Sequence, residues 1–320
     1  MTMILTEAQV TELLDIQTAI AAVEEVVRDQ AVGLATNRPR QRVFGTGSLL
    51  HVMAGSDKRL GVYGFKAYST AKTKTRFLVM LYDSASGELL AMMEADRLGQ
   101  MRTGAASGVA TKYMARADAD SVGIFGTGWQ AESQLMAVCA VRPIKRIKCY
   151  SRDSEKRRRF ADKMAPIVGL DITPVQSAED CARGQAILIT ATTARSPVLF
   201  GEWLEPGQHL NVVGANYLAK SEINPAAVAK ASIIAVDSIE QAKLEAGDLL
   251  PAIENGSINW ESVTELGRIV AGQIAGRRTD QDITLFKSGG IAIWDVATAL
   301  RVYNIACERG VGRTLDIWGD

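Results

Sequence analysis

The chain has 320 residues, of which 47% are hydrophobic and 22% charged, enough to bury a sizeable core and to form about two domains. Its 36 basic residues balance 36 acidic ones, so no net charge attracts nucleic acid or an anionic membrane surface. The first residues show no basic leader, and no apolar run reaches the roughly 20 residues of a membrane-spanning helix. We expect a cytoplasmic protein with no nucleic-acid or membrane partner.

The N-terminal part of the sequence predicts two helices followed by an antiparallel sheet. Thr6 and Gln9 have capping-box spacing, and apolar residues recur at helical intervals between Ile16 and Val27. From about Ser48 to Ala95, short apolar runs alternate with turn-rich or charged pieces, which is typical of a β-meander. The next segment, RLGQMRTGAASGVATKYMAR, has small residues at close intervals and predicts a helix packed tightly against other backbone.

After Arg116 the pattern changes to strands that alternate with helices, which indicates βαβ units and a parallel sheet. The last segment, IAIWDVATALRVYNIACERG, predicts one amphipathic helix that packs on the first domain. We therefore expect an α/β protein with discontinuous domains. A doubly wound domain, residues 116–292, is inserted in an α+β domain made of residues 1–115 and 293–320.

A glycine turn lies in the stretch SVGIFGTGWQAESQ, where an apolar strand directly precedes a G-x-G-x-x-A pattern. The two glycines let the backbone turn and approach a pyrophosphate, and the small alanine lets the following helix pack close to the strand. Backbone N–H groups at the helix start then face the anion. The alternative is a purely structural strand-to-helix turn. The predicted dinucleotide-binding residues are Gly126, Thr127, Gly128, Trp129, Gln130 and Ala131.

The end of the second predicted strand bears on the choice of cofactor. An NAD enzyme usually has an acidic residue there for the ribose 2′-hydroxyl, whereas an NADP enzyme favours a positive partner for the 2′-phosphate. Ser151 and Arg152 stand at this position, which slightly favours NADP(H) over NAD(H). Asp153 is close enough to leave NAD(H) open, and a solvated loop charge is the alternative interpretation of Arg152.

Three cationic residues of the first domain are candidates for chemistry. Lys66 stands within an apolar strand, where an unpaired ammonium is costly to bury. Arg42 and Arg102 could clamp a carboxylate through charge-assisted hydrogen bonds and leave the lysine for proton transfer. The alternative is that each of the three is an outward-facing surface charge.

No metal site is predicted. His51 and His209, the only histidines, each lie in an apolar strand without a ligand cluster, and we interpret both as structural. The four scattered cysteines lack metal-ligand spacing and are predicted to be reduced, buried small hydrophobes.

Five segments, taken together and in this order, resemble the ornithine cyclodeaminase and mu-crystallin family across essentially the whole chain: FKAYST, MRTGAASGVATKYMAR, VGIFGTGWQAESQ, VVGANYLAKSEIN and LFKSGGIAIWDVATA. The resemblance implies a Rossmann domain inserted in a substrate-binding and dimerisation domain. It also implies a homodimer in which the β-meanders join across the interface.

The resemblance also implies roles for individual residues. Arg42 and Arg102 would hold the substrate carboxylate, and Lys66 would be the acid/base group beside the imine or carbonyl. Asn216 would contact the substrate, but cyclodeaminating members carry an aspartate there, and an amide cannot take up a proton. This substitution counts against ornithine cyclodeamination and is compatible with simple hydride transfer. The alternative for Asn216 is a turn residue with an unusual backbone angle.

For the cofactor, the resemblance implies that Thr103 approaches the phosphates. The KSGG turn, with Ser288 and Gly290, would border the nicotinamide.

The resulting functional prediction is NAD(P)H-dependent reduction of a 2-imino acid to an L-amino acid. Candidate reactions are iminosuccinate to aspartate, iminopropionate to alanine, and a cyclic ketimine to proline or pipecolate. A cation among Lys72, Lys74 and Arg76 could bind a second carboxylate, the alternative being an exposed charged loop. Two other functions stay open: an ornithine or lysine cyclodeaminase with bound NAD, and a non-catalytic, mu-crystallin-like protein that binds NADPH and a small molecule.

Overall fold

The structure is a computed structural model that describes residues 1–71 and 75–317. It divides the chain into two compact units. Unit 1 consists of Met1–Arg102 and Ile291–Asp320, and unit 2 of Thr103–Gly290.

The first ten elements, through the helix that crosses from unit 1 into unit 2, are β1 (Thr2–Leu5), α1 (Glu7–Leu13), α2 (Ile16–Ala31), β2 (Ala35–Asn37), β3 (Gln41–Phe44), β4 (Ser48–Asp57), β5 (Val62–Ala71), β6 (Thr75–Asp83), β7 (Leu89–Glu94) and α3 (Asp96–Met114).

The remaining elements, which alternate more regularly, are β8 (Ser121–Phe125), α4 (Trp129–Val141), β9 (Arg146–Tyr150), α5 (Ser154–Val168), β10 (Ile172–Pro174), α6 (Ala178–Ala182), β11 (Ile187–Thr190), β12 (His209–Val212), α7 (Pro225–Lys230), β13 (Ile233–Val236), α8 (Ile239–Glu245), α9 (Leu250–Glu254), β14 (Val263–Glu265), α10 (Leu266–Val270), β15 (Thr284–Lys287), α11 (Ala292–Arg309) and β16 (Arg313–Leu315).

Unit 1 contains an eight-stranded sheet in the order β16-β1-β7-β6-β5-β4-β2, with β3 also paired to β4. The run from β4 to β7 is antiparallel, which confirms the predicted meander. The two opening helices are also confirmed: Thr6 and Gln9 form the capping box of α1, and Asp15 accepts the Thr18 N–H at the start of α2. The sequence analysis missed β1, β2, β3 and β16, because strands of three or four residues show no readable period and are held by distant partners.

Helix α11 covers the buried face of this sheet, as the sequence predicted for the last helix. A Cβ at Gly55 would lie 2.8 Å from Ile293 Cγ2, and one at Gly64 would lie 3.4 Å from Val296 Cγ2, so the glycines let the helix approach the strands. Trp294 is fully buried. Burying such a large side chain stabilises the fold by roughly 1.5–3 kcal/mol.

Unit 2 has an eight-stranded, all-parallel sheet in the order β10-β9-β8-β11-β12-β15-β13-β14. Alternate residues of β11 face opposite sides: Leu188 joins one hydrophobic cluster, and Ile187 and Ile189 join the other. Helices α4 and α5 pack on one side, and α6 and α7 on the other. The doubly wound α/β fold is confirmed. The order of strands reverses between β8 and β11, the position where such sheets bind ligands.

The boundary between the units differs from the predicted one. The first division falls at Arg102 and Thr103, inside α3, whereas the sequence analysis placed it after Ala115. The start of α3 bonds within unit 1, through Arg102 and Asp295. From Gly104 onward the helix packs on α4. Because α3 is one continuous helix, its sequence does not show where its contacts change from unit 1 to unit 2.

The helices of the described residues are all too short or too polar to cross a membrane. The four cysteines are free, with Cys149 and Cys181 buried, but Cys139 is half-buried and Cys307 is exposed, so the prediction of four buried cysteines was wrong for these two. Cys307 lies in the last turns of α11, whose outer face meets solvent.

Gly104→Ala tests the close packing of α3 on α4. Alanine normally stabilises a helix relative to glycine by about 1 kcal/mol. Here the added Cβ would lie on the carbonyl oxygen of Ser133, so we expect the free energy of unfolding to fall by about 1–3 kcal/mol. Denaturant unfolding measures the change. Gly47→Ala is the matched control, because nothing lies within 4 Å of its Cβ position; an equal loss in both variants would contradict the packing argument.

Candidate functional site

Unit 1 holds a buried ionic cluster built from three elements. Lys66 lies on the inner face of β5, Arg102 lies on α3, and Asp295 lies in the first turn of α11. Lys66 Nζ is 3.0 Å and Arg102 Nε is 2.9 Å from the same oxygen, Asp295 Oδ1. The three side chains are between 0% and 6% exposed. The structure therefore brings Lys66 and Arg102 together, as predicted, around an aspartate that the sequence analysis did not single out.

The environment of Lys66 favours its neutral form. Burial, and then the positive charge of Arg102, lower the pKa of Lys66 to about 8, against the opposing effect of Asp295. The ammonium also lies 5.1 Å from the ring centre of Phe77 and 5.7 Å from that of Tyr68. A lysine with a pKa near neutrality can both donate and accept a proton, which is typical of acid/base groups.

Arg40, which lies between β2 and β3, also acts on the cluster of Lys66, Arg102 and Asp295. Arg40 is 7% exposed, and its Nε donates to Met53 Sδ at 3.4 Å, while Met53 is the cross-strand partner of Lys66. The charge of Arg40 helps to lower the pKa of Lys66. Arg42, the predicted ligand, is half-buried in β3 opposite His51. The stretch RPRQRVFG has three arginines at alternate positions, Arg38, Arg40 and Arg42, but β3 begins only at Gln41, so spacing alone did not single out Arg40.

The glycine turn of unit 2 has the conformation that the sequence pattern requires. Gly126 has φ +100°, and a Cβ there would lie on the carbonyl oxygen of Ala191, so only glycine fits. Nothing lies within 4 Å of a Cβ at Gly128, the N-cap of α4, and its start carries no side-chain cap. Ala131 is fully buried. This open cradle at the start of a 13-residue helix fits the pyrophosphate of a dinucleotide.

A cleft joins this turn to the ends of β9 and β11, at the reversal of strand order. Its lining includes Gly126, Thr127, Gly128, Ser151, Arg152, Asp153, Lys156, Ala191 and Thr192. Thr127 and Ser151 share a hydrogen bond of 3.1 Å. The predicted residues of the turn and of the second strand end are thus brought together within unit 2.

Asp153 has a structural use that the sequence analysis did not foresee. Its Oδ1 accepts the N–H groups of Glu155 and Lys156, which caps α5. These backbone hydrogen bonds lower the pKa of Asp153. One oxygen of the Asp153 carboxylate is thus engaged in the cap, while Ser151, the exposed Arg152 and Lys156 also line the cleft.

The other predicted cofactor residues lie near α4 or in the turn after β15. The carbonyl oxygen of Thr103 accepts a hydrogen bond from Gln134 on α4, while Trp129, at the start of that helix, is 51% exposed and Gln130 is half-buried. In the KSGG turn, Ser288 Oγ and the N–H of Gly290 both donate to Asp237 Oδ2.

Asn216 stands in a loop that a buried charge network holds in place. Glu222 accepts the N–H groups of Thr192 and Gly214, both at 2.6 Å, and so joins the ends of β11 and β12. Lys287 pairs with Asp248 at 2.8 Å and donates to the carbonyl oxygen of Ala215. Burial raises the pKa of Glu222. The sequence analysis missed this network, whose members are far apart in the chain.

The remaining predictions concern histidines, metals and a second carboxylate. Burial, and then nearby arginines, lower the pKa of His51 to about 4 and that of His209 to about 3, so both are neutral in the core. Across the described parts of the chain, three or more histidine, cysteine or acidic side chains do not converge as a metal site would require. Lys72 and Lys74 lie outside the described residues. Arg76, 65% exposed, pairs with Asp96 at 3.2 Å.

The parallel sheet, the glycine cradle and the cleft at the strand reversal define a dinucleotide-binding α/β protein, with a second unit that carries a buried lysine of lowered pKa. Comparison with known proteins assigns the family: the chain belongs to the ornithine cyclodeaminase/mu-crystallin family, whose model matches residues 1–310. This confirms the resemblance drawn from the five sequence segments.

Several relatives have names that describe their activity. The Δ1-pyrroline-2-carboxylate reductase of Bacillus cereus is 40% identical over 240 residues, which is 75% of this chain and 74% of that protein. The structure of Thermococcus litoralis Δ1-pyrroline-2-carboxylate reductase in complex with NADH and L-proline matches with a TM-score of 0.93 and 34% identity, over 98% of this chain and 100% of that one. An archaeal alanine dehydrogenase dimer with bound NAD also has a TM-score of 0.93 and 34% identity, over 99% of both chains.

The lowered pKa of Lys66 predicts a pH-dependent stability. The folded protein releases this proton at about pH 8, whereas the unfolded chain releases it at about pH 10.4. Unfolding therefore takes up a proton between these values, and the free energy of unfolding rises with pH across the window. We expect wild type to gain up to about 3 kcal/mol relative to Lys66→Met between pH 7 and pH 10. Denaturant unfolding of both proteins measures this, and parallel pH curves would contradict it.

Proposed function

We propose that this protein reduces a 2-imino acid to the L-amino acid with NADH or NADPH. The observation that carries the proposal is Lys66, buried beside Arg102 and Asp295 with its pKa lowered to about 8. The named activities of the relatives, pyrroline-2-carboxylate reduction and alanine dehydrogenation, support it. Both activities interconvert an imino acid or oxo acid with an amino acid.

In this proposal unit 1 binds the substrate and controls its protonation. Arg102 and Arg42 hold the carboxylate, which fixes the α-carbon in one orientation. Lys66, as an ammonium, donates to the imine nitrogen and keeps it electrophilic. A bound carboxylate favours this ammonium form, because it offsets the positive charge of Arg102.

Unit 2 binds the cofactor in this proposal. When bound, a reduced nicotinamide supplies the hydride that converts the α-carbon of the imine to that of the amino acid. Gly126, Thr127, Gly128, Trp129, Gln130 and Ala131 form the cradle, and Thr103 joins it from α3. Ser288 and Gly290 would border the nicotinamide, and their hydrogen bonds to Asp237 hold that turn in place.

The amide side chain of Asn216 favours net imine reduction over cyclodeamination. Its amide can hydrogen-bond to the substrate nitrogen but cannot serve as a base. The loop is held by Lys287, which donates to the neighbouring Ala215 carbonyl, so the amide is presented by a fixed backbone. We therefore favour net reduction, with candidates that yield proline, pipecolate, alanine or aspartate.

We further propose that the protein forms a homodimer through the sheet of unit 1. Large apolar side chains on β3, β4 and β6 are exposed, including Phe44 at 82%, Val43 at 59% and Leu50 at 41%. Exposed apolar surface of this kind marks interaction sites. The dimeric alanine dehydrogenase relative supports the same assembly.

A spectrophotometric panel at 340 nm tests the function. NADH and NADPH are each offered with Δ1-pyrroline-2-carboxylate, its six-membered analogue, pyruvate plus ammonia, and oxaloacetate plus ammonia. We expect stoichiometric cofactor oxidation with at least one imine, and kcat/KM that falls as pH rises through about 8, where Lys66 loses its proton. Lys66→Ala should lower kcat/KM at least about hundredfold, because general acid catalysis is lost, while NAD(P)H fluorescence titration shows unchanged binding.

The alternatives give different results in the same panel. Release of ammonia from ornithine or lysine without net cofactor oxidation would identify a cyclodeaminase. Tight NADPH binding without turnover of any substrate would identify a binding protein. Unchanged turnover in Lys66→Ala would remove Lys66 from the mechanism.

Arg152→Ala tests which cofactor is used. We propose that Arg152 and Ser151 receive the 2′-phosphate of NADP(H), because Asp153 is engaged in capping α5. One lost charge-assisted hydrogen bond should raise the Kd for NADPH about tenfold and leave that for NADH unchanged. Arg146→Ala, an exposed arginine at the other end of β9, is the control. Equal weakening for both cofactors, or tighter NADH binding by wild type, would contradict the assignment.

A further inference from the structure

Several buried polar atoms of unit 1 have no hydrogen-bond partner within the described residues, and three of them belong to the ionic cluster or to the tryptophan next to it. These three are Arg102 Nη1, Trp294 Nε1 and Asp295 Oδ2. Trp294 and Asp295 are neighbours on α11, and the guanidinium carbon of Arg102 lies 5.9 Å from the Trp294 ring centre. The three atoms therefore belong to one small region, beside Lys66.

Leaving such atoms unpaired is unfavourable. A buried donor or acceptor without a partner has lost its hydrogen bonds to water and gained none in return, and the loss is larger for a charged group. The ion pairs do not remove this cost, because Lys66 and Arg102 both bond to Asp295 Oδ1 and leave the second oxygen unsatisfied. Such orphaned groups in a native protein indicate a function or a bound molecule.

The unpaired atoms specify the chemistry of a ligand. Two are donors, an arginine N–H and an indole N–H, and one is a carboxylate acceptor. A ligand that satisfies all three carries a carboxylate or other acceptor close to an N–H donor. A protonated imino acid has this arrangement, and so does the amino acid formed from it. A 2-oxo acid has the carboxylate but no hydrogen to offer at the adjacent position.

We propose that Asp295 determines the specificity for nitrogen over oxygen, with its Oδ2 accepting the N–H of the protonated imine and of the product ammonium. This inference rests on the proposed imine reduction and adds the residue that distinguishes an imine from the corresponding 2-oxo acid. The carbonyl oxygen of a 2-oxo acid would place its lone pairs against those of the carboxylate. Loss of one hydrogen bond to a charged group, together with this repulsion, disfavours the oxo acid by about a hundredfold.

Asp295→Asn is the sharpest variant because it replaces the second oxygen with an NH2 group of nearly the same shape, although it also removes the negative charge that raises the pKa of Lys66. The amide oxygen can replace Oδ1 and accept from Lys66 and Arg102, which places the NH2 group where Oδ2 was. The acceptor becomes a donor, which suits a carbonyl oxygen and not an N–H. The substitution is isosteric, so the surrounding packing of α11 is kept.

The experiment compares two ratios in wild type and Asp295→Asn. The first ratio is kcat/KM for the imine that wild type reduces fastest, divided by kcat/KM for a 2-oxo acid without ammonia. This 2-oxo acid is the one that matches the imine, or pyruvate where the imine is cyclic. The second is the affinity of the product L-amino acid relative to its 2-hydroxy analogue, measured by calorimetry. We expect the first ratio to fall at least about hundredfold and the second about tenfold.

Thr298→Val is the matched control. Thr298 is on the same helix, is fully buried, and its Oγ1 also lacks a partner among the described residues. We expect both ratios to stay at the wild-type values. An equal fall in the two variants would show that the ratios report a general disturbance of α11, and this would overturn the proposal.

A second variant keeps the test decisive if Asp295→Asn does not fold. Asp295→Glu retains the charge but moves the carboxylate by one methylene, and should also lower both ratios. Wild-type ratios in a folded Asp295 variant would overturn the inference while leaving imine reduction intact. Failure of wild type to reduce any imine would instead overturn the proposed function.

Discussion

The burial of one ammonium group determines the organisation of unit 1. Lys66 lies on the inner face of a β-meander and is covered by α11, where water cannot solvate its charge. Burying an unpaired charge is prohibitively costly, so the fold must supply an anion, and Asp295 is that anion. Arg102, from a third element, bonds to the same oxygen. Strand, helix and C-terminal helix are thereby joined through one carboxylate.

This arrangement leaves the cluster with more positive than negative charge. Lys66, Arg102 and Arg40 act on one another, whereas Asp295 supplies a single negative charge. The imbalance lowers the pKa of Lys66 and makes the site receptive to a carboxylate ligand. The same imbalance explains why a substrate that brings its own negative charge would return Lys66 to its protonated form.

Unit 2 uses buried charges for a different purpose. Glu222, Asp237 and Asp248 accept backbone N–H groups at the ends of strands and in the turns that follow. Lys287 balances part of this negative charge through Asp248. The loops around the cleft are therefore held by hydrogen bonds to fully buried groups. A cofactor that binds there meets a preorganised surface, which reduces the entropy lost on binding.

The sequence by itself determined the parts of this protein that depend on local pattern. The capping box of α1, the meander, the βαβ alternation and the glycine turn each follow from residue spacing, because backbone geometry imposes these periods. Family membership followed from five ordered segments. The tertiary structure alone decided the partners: Asp295 beside Lys66, Arg40 near Met53, Asp153 as a cap, and the change of partner within α3. Such pairings join residues far apart in the chain, and their energies depend on burial and distance, which no local pattern encodes.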